Sequence, residues 1–175
     1  MTVTTQRVAV PDVPAEIDEI VACPSHISFS EEPRHIAERL NEELQDRFKI
    51  WDYRWLDQSN GLHPTPMFRF ALLKEDFERY VYWILEARQG LSVLLHAITE
   101  NVYIDHSYLT LWFGKQLDLG LDGMREKEAQ RLAGEKTEVN SVLLVGQQRH
   151  LAGTVRFRPG DDTYKTRDWP APVPA

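Results

Sequence analysis

The chain has six histidines and a single cysteine. Four of the six, His26, His63, His96 and His106, fall on β-patterned runs, at their ends, or in a proline-punctuated loop. Neutral imidazoles on rigid elements suit zinc or iron. Two of them plus a carboxylate, with positions left open, make the non-heme Fe(II) pattern of oxygen chemistry. Asp105 or Glu100 could supply the carboxylate, although alternation along a strand would point Asp105 away from His106. No pair has the tight spacing of a helix-borne HExxH, so each ring could equally be a polar residue on an exposed sheet face. His35, inside a helical stretch, and His150, near the tail, read as surface residues. Arg69 stands between Phe68 and Phe70, where it could grip a substrate carboxylate through paired hydrogen bonds or lie along the surface on its aliphatic stem. Tyr108 could donate a proton or orient a phenol, or be an ordinary half-buried sheet tyrosine. Alternation puts Trp51, Tyr53 and Trp55 on one strand face, as an aromatic wall or as packing.

These residues need elements to position them. Period-2 runs predict strands over 20–29, 50–55, 67–73, 91–96 and 107–114. Between them, 30–48 and 75–88 have helical period, and a further helix fits 124–133. Ser30 is the expected N-cap of the first helix, with Pro33 tolerated in its first turn. Ile36, Leu40 and Leu44 form its inward stripe, and Phe77, Val81, Ile84 and Leu85 that of the second. The order β-α-β-β-α-β-β predicts an α+β fold, a ferredoxin-like βαββαβ antiparallel sheet with an added strand and both helices on one face. Strand phase then puts Cys23, Ile27 and Phe29 toward the helices. His26, His96, Arg69 and, in phase with them, His106 and Tyr108 face the opposite side.

Bulk properties bound the partners. A net charge of −7 supplies no basic block for phosphates, so no nucleic acid is expected. No run is long and apolar enough for a membrane helix, and the first residues lack the pattern of a signal peptide. With one cysteine, Cys23, an intramolecular disulfide is impossible, and a cytoplasmic setting is expected. Residues 1–19 read as an irregular arm, 20–123 as the folded domain, and 124–175 as a C-terminal extension ending in an irregular, Pro-rich tail.

Taken together, "PSHISFS", "HPTPMFRFAL", "GLSVLLH" and "DHSYLTLWFGKQLDL" resemble the DOPA 4,5-dioxygenase family, the small ferredoxin-like kind, over roughly residues 20–122. The resemblance implies ring cleavage of a catechol such as DOPA by O2 at a non-heme Fe(II). It implies His26, His96 and His106 as the metal centre and His63 as an acid/base group. Tyr108 remains a catalytic candidate, and Arg69 a carboxylate anchor. A small aromatic substrate and O2 are the implied partners, and a homodimer is an open option. Two positions where the family carries histidine are Pro24 and Leu109 here, and its strand-end His-Pro is His96-Ala97. A metal-free relative binding an aromatic ligand in the same pocket, or a non-catalytic dimeric module, stay open as alternatives.

Overall fold

The computed structural model describes residues 20, 22–30, 32–99, 101–134 and 152–162. Strands β1 (Cys23–Ser28), β2 (Ile50–Leu56), β3 (Met67–Leu72), β4 (Ser92–His96) and β5 (Thr110–Phe113) form one sheet in the order β2-β3-β1-β4-β5. Every pairing is antiparallel. This is the expected ferredoxin-like order, with β5 added beyond β4.

Helices α1 (Arg34–Arg47) and α2 (Phe77–Ala87) lie on one face. Leu40 and Leu44 from α1 and Tyr80 and Ile84 from α2 pack with Ile27, Phe68, Phe70, Val93 and Leu95 into the main core. Each fully buried side chain of this kind is worth about 1.5–3 kcal/mol.

Local corrections follow from physical causes. Helix α1 starts at Arg34 with Pro33 in the cap position, so Ser30 is not its N-cap; the carbonyl of Pro33 accepts from Ile36 and Ala37. On α2 the inward stripe includes Tyr80, whose hydroxyl lies 2.6 Å from that of Ser25. Leu85 is 54% exposed, not inward. In β2, Asp52 and Tyr53 both fall between the registered pairs Trp51↔Ala71 and Arg54↔Arg69. Asp52 takes φ of 51°, so the strand bulges there. Trp51 therefore joins Ala22, Ala71 and Ile98 on the far face, while Tyr53 and Trp55 stay in the main core. The three aromatics do not share a face.

The stretch before β5 is not strand. Residues Val102–Ser107 form a short helix, α3, capped by Asn101, whose side chain accepts from the Ile104 amide at 2.9 Å. Helix α4 (Asp122–Leu132) follows. The arm 1–19, Glu100, His150 and the tail beyond 162 lie outside the described residues.

Candidate metal centre

The strand registers align a row of side chains across the face away from α1 and α2. Arg54 on β2 stands opposite Arg69 on β3, and Arg69 opposite His26 on β1. His26 in turn faces Leu94 on β4, and Leu94 faces Trp112 on β5. His96 ends β4 opposite Thr110. His106 reaches the same place from α3, and His63 from the loop preceding β3.

These four rings touch. His26 lies 4.5 Å from His63, 5.1 Å from His96 and 5.9 Å from His106 between ring centroids. His96 and His106 are 4.0 Å apart. One nitrogen each from His26, His96 and His106 falls within 4.8 Å of the other two, so this buried triad could hold a metal ion. His63 stacks on His26 with an interplanar angle of 21°, beside the triad.

Local hydrogen bonds select which nitrogen is offered. A backbone carbonyl can only accept, so His96 donates from Nδ1 to the oxygen of Ala97 at 2.6 Å. His106 likewise donates from Nδ1 to Val102 at 2.9 Å. Both rings are thereby left with a lone pair on Nε2, the arrangement seen around metal-ligating histidines. The Nε2 atoms of His26 and His96 are 3.0 Å apart. Two donors about 2.1 Å from one ion and at right angles would be separated by roughly that distance. His26 Nδ1 and His63 Nε2 are buried without a hydrogen-bond partner, a cost that a bound ligand or ion would relieve.

Electrostatics favour neutral rings. Burial, the largest cause, holds His26 and His96 well below the usual histidine range, and the neighbouring imidazoles and Arg69 add to it. Burial also pushes His63 down to about 3, helped by His106 and Arg69. His106 is pushed down to about 4, mainly by burial, against the opposing pull of its bond to Val102. Neutral imidazole is the form that ligates. Three such donors leave the charge of a divalent ion uncompensated, which suits an anionic, chelating oxygen ligand.

Arg69 is salt-bridged to Asp52, a buried carboxylate delivered by the β2 bulge. Burial raises Asp52 above the usual carboxylate range, and Arg69 partly offsets that. Tyr108 is the C-cap of α3 and stands 46% exposed. It follows His106 on a helix, so strand phase does not relate the two. Asp105 turns to Thr99 rather than toward the imidazoles: its oxygens accept from the Thr99 amide at 3.0 Å and hydroxyl at 2.7 Å. His35 is exposed.

The sheet face that the strand pattern leaves open is covered by the chain itself, and Met67, Ala71 and Leu94 on it are at most 1% exposed. The His63 loop is held by Asn60, whose side-chain oxygen accepts from the amides of Leu62 at 3.2 Å and His63 at 2.7 Å. The segment after β5 crosses this loop, where the Gly120 amide donates to the Leu62 carbonyl at 2.9 Å. Asp52, Thr99, Asp105 and Gly120 were not singled out for these roles by the sequence. Of them, only Asp105 leaves a readable signal, as the first-turn acid of a helix capped by Asn101.

Residues 24–123 match the Dopa 4,5-dioxygenase family. A crystal structure of a candidate dioxygenase from Nostoc punctiforme is 33% identical, with a TM-score of 0.62; the match covers 65% of this chain and 98% of that one. No curated protein matches significantly.

Proposed function

Because the chain belongs to the Dopa 4,5-dioxygenase family and so has a dioxygenase-like role, we propose that it cleaves the ring of a small catechol with O2, using an Fe(II) ion held by His26, His96 and His106. The observation that carries this is the triad: three neutral imidazoles with nitrogens within 4.8 Å, two of them with Nε2 freed by backbone acceptors. Iron there would supply a shared coordination sphere for the catechol oxygens and O2.

The chain's own groups do the rest. The histidines add no negative charge, so a catechol binds best as its anion. His63, with its Nε2 unpartnered, can accept a hydrogen bond from the catechol hydroxyl; burial makes it a weak base, so it takes the proton only as that oxygen ionises beside it. Arg69, directly opposite His26 on the neighbouring strand, holds positive charge beside the site and attracts an acidic substrate arm, with Asp52 as its resting partner. The covering loops keep water from the ring once it is bound. Leu109 and Pro24, where the family has histidine, contribute no nitrogen, and the triad forms without them.

The test is anaerobic purification, metal analysis, and oxygen uptake with catechol or DOPA. Near-stoichiometric iron with O2-dependent formation of a yellow product is the expected result. His96→Ala and His106→Ala should lose both iron and turnover. Catechol binding by a protein that takes up no iron would instead point to the metal-free relative.

A further inference from the structure

We infer that Asp105 and Thr99 are positioning residues for the metal centre: their paired hydrogen bonds set the distance between His96, at the end of β4, and His106, on α3. The inference rests on His26, His96 and His106 being a metal site.

The two ligands come from elements that share no strand register. The end of α3 is tied to β4 through Leu109 and Thr110; the connection 97–101 and the start of α3 relate the two ligands from the other side, and that connection is bonded at each described residue. The Ala97 amide donates to Leu109 at 3.1 Å and the Ile98 amide to Ala22 at 3.1 Å. The Thr99 amide donates to Asp105 Oδ2 at 3.0 Å and its hydroxyl to Asp105 Oδ1 at 2.7 Å. The Asn101 amide donates back to Thr99 Oγ1 at 3.1 Å, and Asn101 caps α3.

The carboxylate is 1% exposed and Thr99 8% exposed. Bonds from an N–H and an O–H to a buried carboxylate are charge-assisted and geometrically strict. Asp105 and His106 are neighbours on a helix, where successive side chains diverge by about 100°. Fixing Asp105 against the strand end therefore fixes the azimuth at which His106 meets His96. The clamp also fixes the two carbonyls, Ala97 and Val102, that hold the Nδ1 protons of the two ligands. A shift in this connection would rotate both Nε2 lone pairs.

The hydroxyl is the part a mutation can remove cleanly. Thr99→Val keeps shape and the amide bond but leaves Asp105 Oδ1 without its donor. Thr99→Ser keeps the hydroxyl and loses only a methyl group. Asp105→Asn keeps shape and offers one acceptor in place of two. Metal-free protein is titrated with Co(II) and followed by its visible absorption, with urea unfolding of each metal-free variant alongside. Thr99→Val and Asp105→Asn should bind Co(II) about 10–100-fold more weakly, as removal of outer-shell partners does, with an altered band shape. Thr99→Ser should restore affinity and spectrum. Wild-type affinity and spectrum in Thr99→Val or in Asp105→Asn would overturn the inference. So would a Thr99→Ser protein as weak as Thr99→Val. If one variant does not fold, the other decides. A wild-type protein that binds no Co(II) would instead overturn the metal site itself, and the positioning role with it.

Discussion

At His96 and His106 the tautomer is chosen by the backbone, because each Nδ1 proton is held by a carbonyl. His26 differs: its Nε2 meets the Nε2 of His96 at 3.0 Å. With the lone pair already on His96, the proton of this contact sits on His26. To ligate, His26 must move that proton to its unpartnered Nδ1, which releases nothing to solvent. Loading of a divalent ion at pH 7 should therefore release close to no protons. Calorimetric titrations in two buffers of different ionisation enthalpy should give the same heat, and release of about one proton per ion would contradict the assigned protonation. The same burial gives the metal-free protein an acid sensitivity. The unfolded chain takes up protons near the ordinary histidine value of about 6.5. The folded rings resist down to about 3 at His63 and about 4 at His106. Below about pH 6.5 the unfolded state therefore binds more protons, so stability is at its plateau above that pH and falls as the pH drops. Asp105 acts the other way: burial pushes it up to about 6, so its folded form gains protons first. It takes up its proton around pH 6 and so offsets part of the loss, but one carboxyl against four buried imidazoles leaves a net fall between pH 7 and 6. The urea midpoint of the metal-free protein should fall across that interval, and a flat or rising midpoint would count against neutral buried rings.

Among the elements, the loop carrying His63 is fixed by its crossing with the segment after β5. A Cβ on Gly120 would lie 2.1 Å from the Gly61 carbonyl oxygen, far inside van der Waals contact, and the atom it meets is backbone. Gly120→Ala should displace the His63 loop while leaving the triad on β1, β4 and α3 in place. We expect turnover to drop by more than tenfold with iron content close to wild type; iron lost in parallel with activity would show that the loop also shapes the triad. This crossing was invisible in the sequence, because it joins two irregular segments whose pairing no period encodes. Strand period did place His26, His96 and Arg69 on one face, since β1, β3 and β4 are regular where those residues sit. It failed at β2, where one extra residue at Asp52 reversed the phase of Trp51 relative to Tyr53. It failed again at 107–109, where the strand expected over 107–114 is replaced by the end of α3 and β5 begins only at Thr110. His106 reaches the site all the same, through a helix whose start is marked by the capping residue Asn101. The inward stripe of α2 runs through Tyr80 rather than Leu85. Tyr80 is the better core residue there because Ser25 receives its hydroxyl.

At the scale of the molecule, the domain does not end where the family match ends, at residue 123. The described segment 152–162 returns to the β2 edge and to α1. Phe157 is 2% exposed and stacks on Tyr53 at 4.8 Å with an interplanar angle of 4°. Its backbone is held on both sides: its amide donates to Gln45 at 2.5 Å, and its carbonyl accepts from Gln45 at 2.8 Å and from buried Asn41 at 3.2 Å. Beyond it, the Asp161 carbonyl accepts from the Trp55 amide at 2.9 Å, and Asp162 pairs with Arg54 at 3.1 Å. An otherwise unpaired strand edge is thus covered, and the core gains an aromatic side chain from outside the matched region. Replacing a buried phenylalanine with alanine typically costs about 3–5 kcal/mol. Phe157→Ala should lower the unfolding free energy of the metal-free protein by about that amount. The imidazoles lie on the opposite face of the sheet from this contact, so Co(II) affinity in the folded variant should change by less than about threefold. A loss below about 1 kcal/mol would mean that the segment contributes little to the core. A large loss of affinity at preserved fold would mean instead that the β2 edge, through Arg54 and Arg69, reaches the metal site.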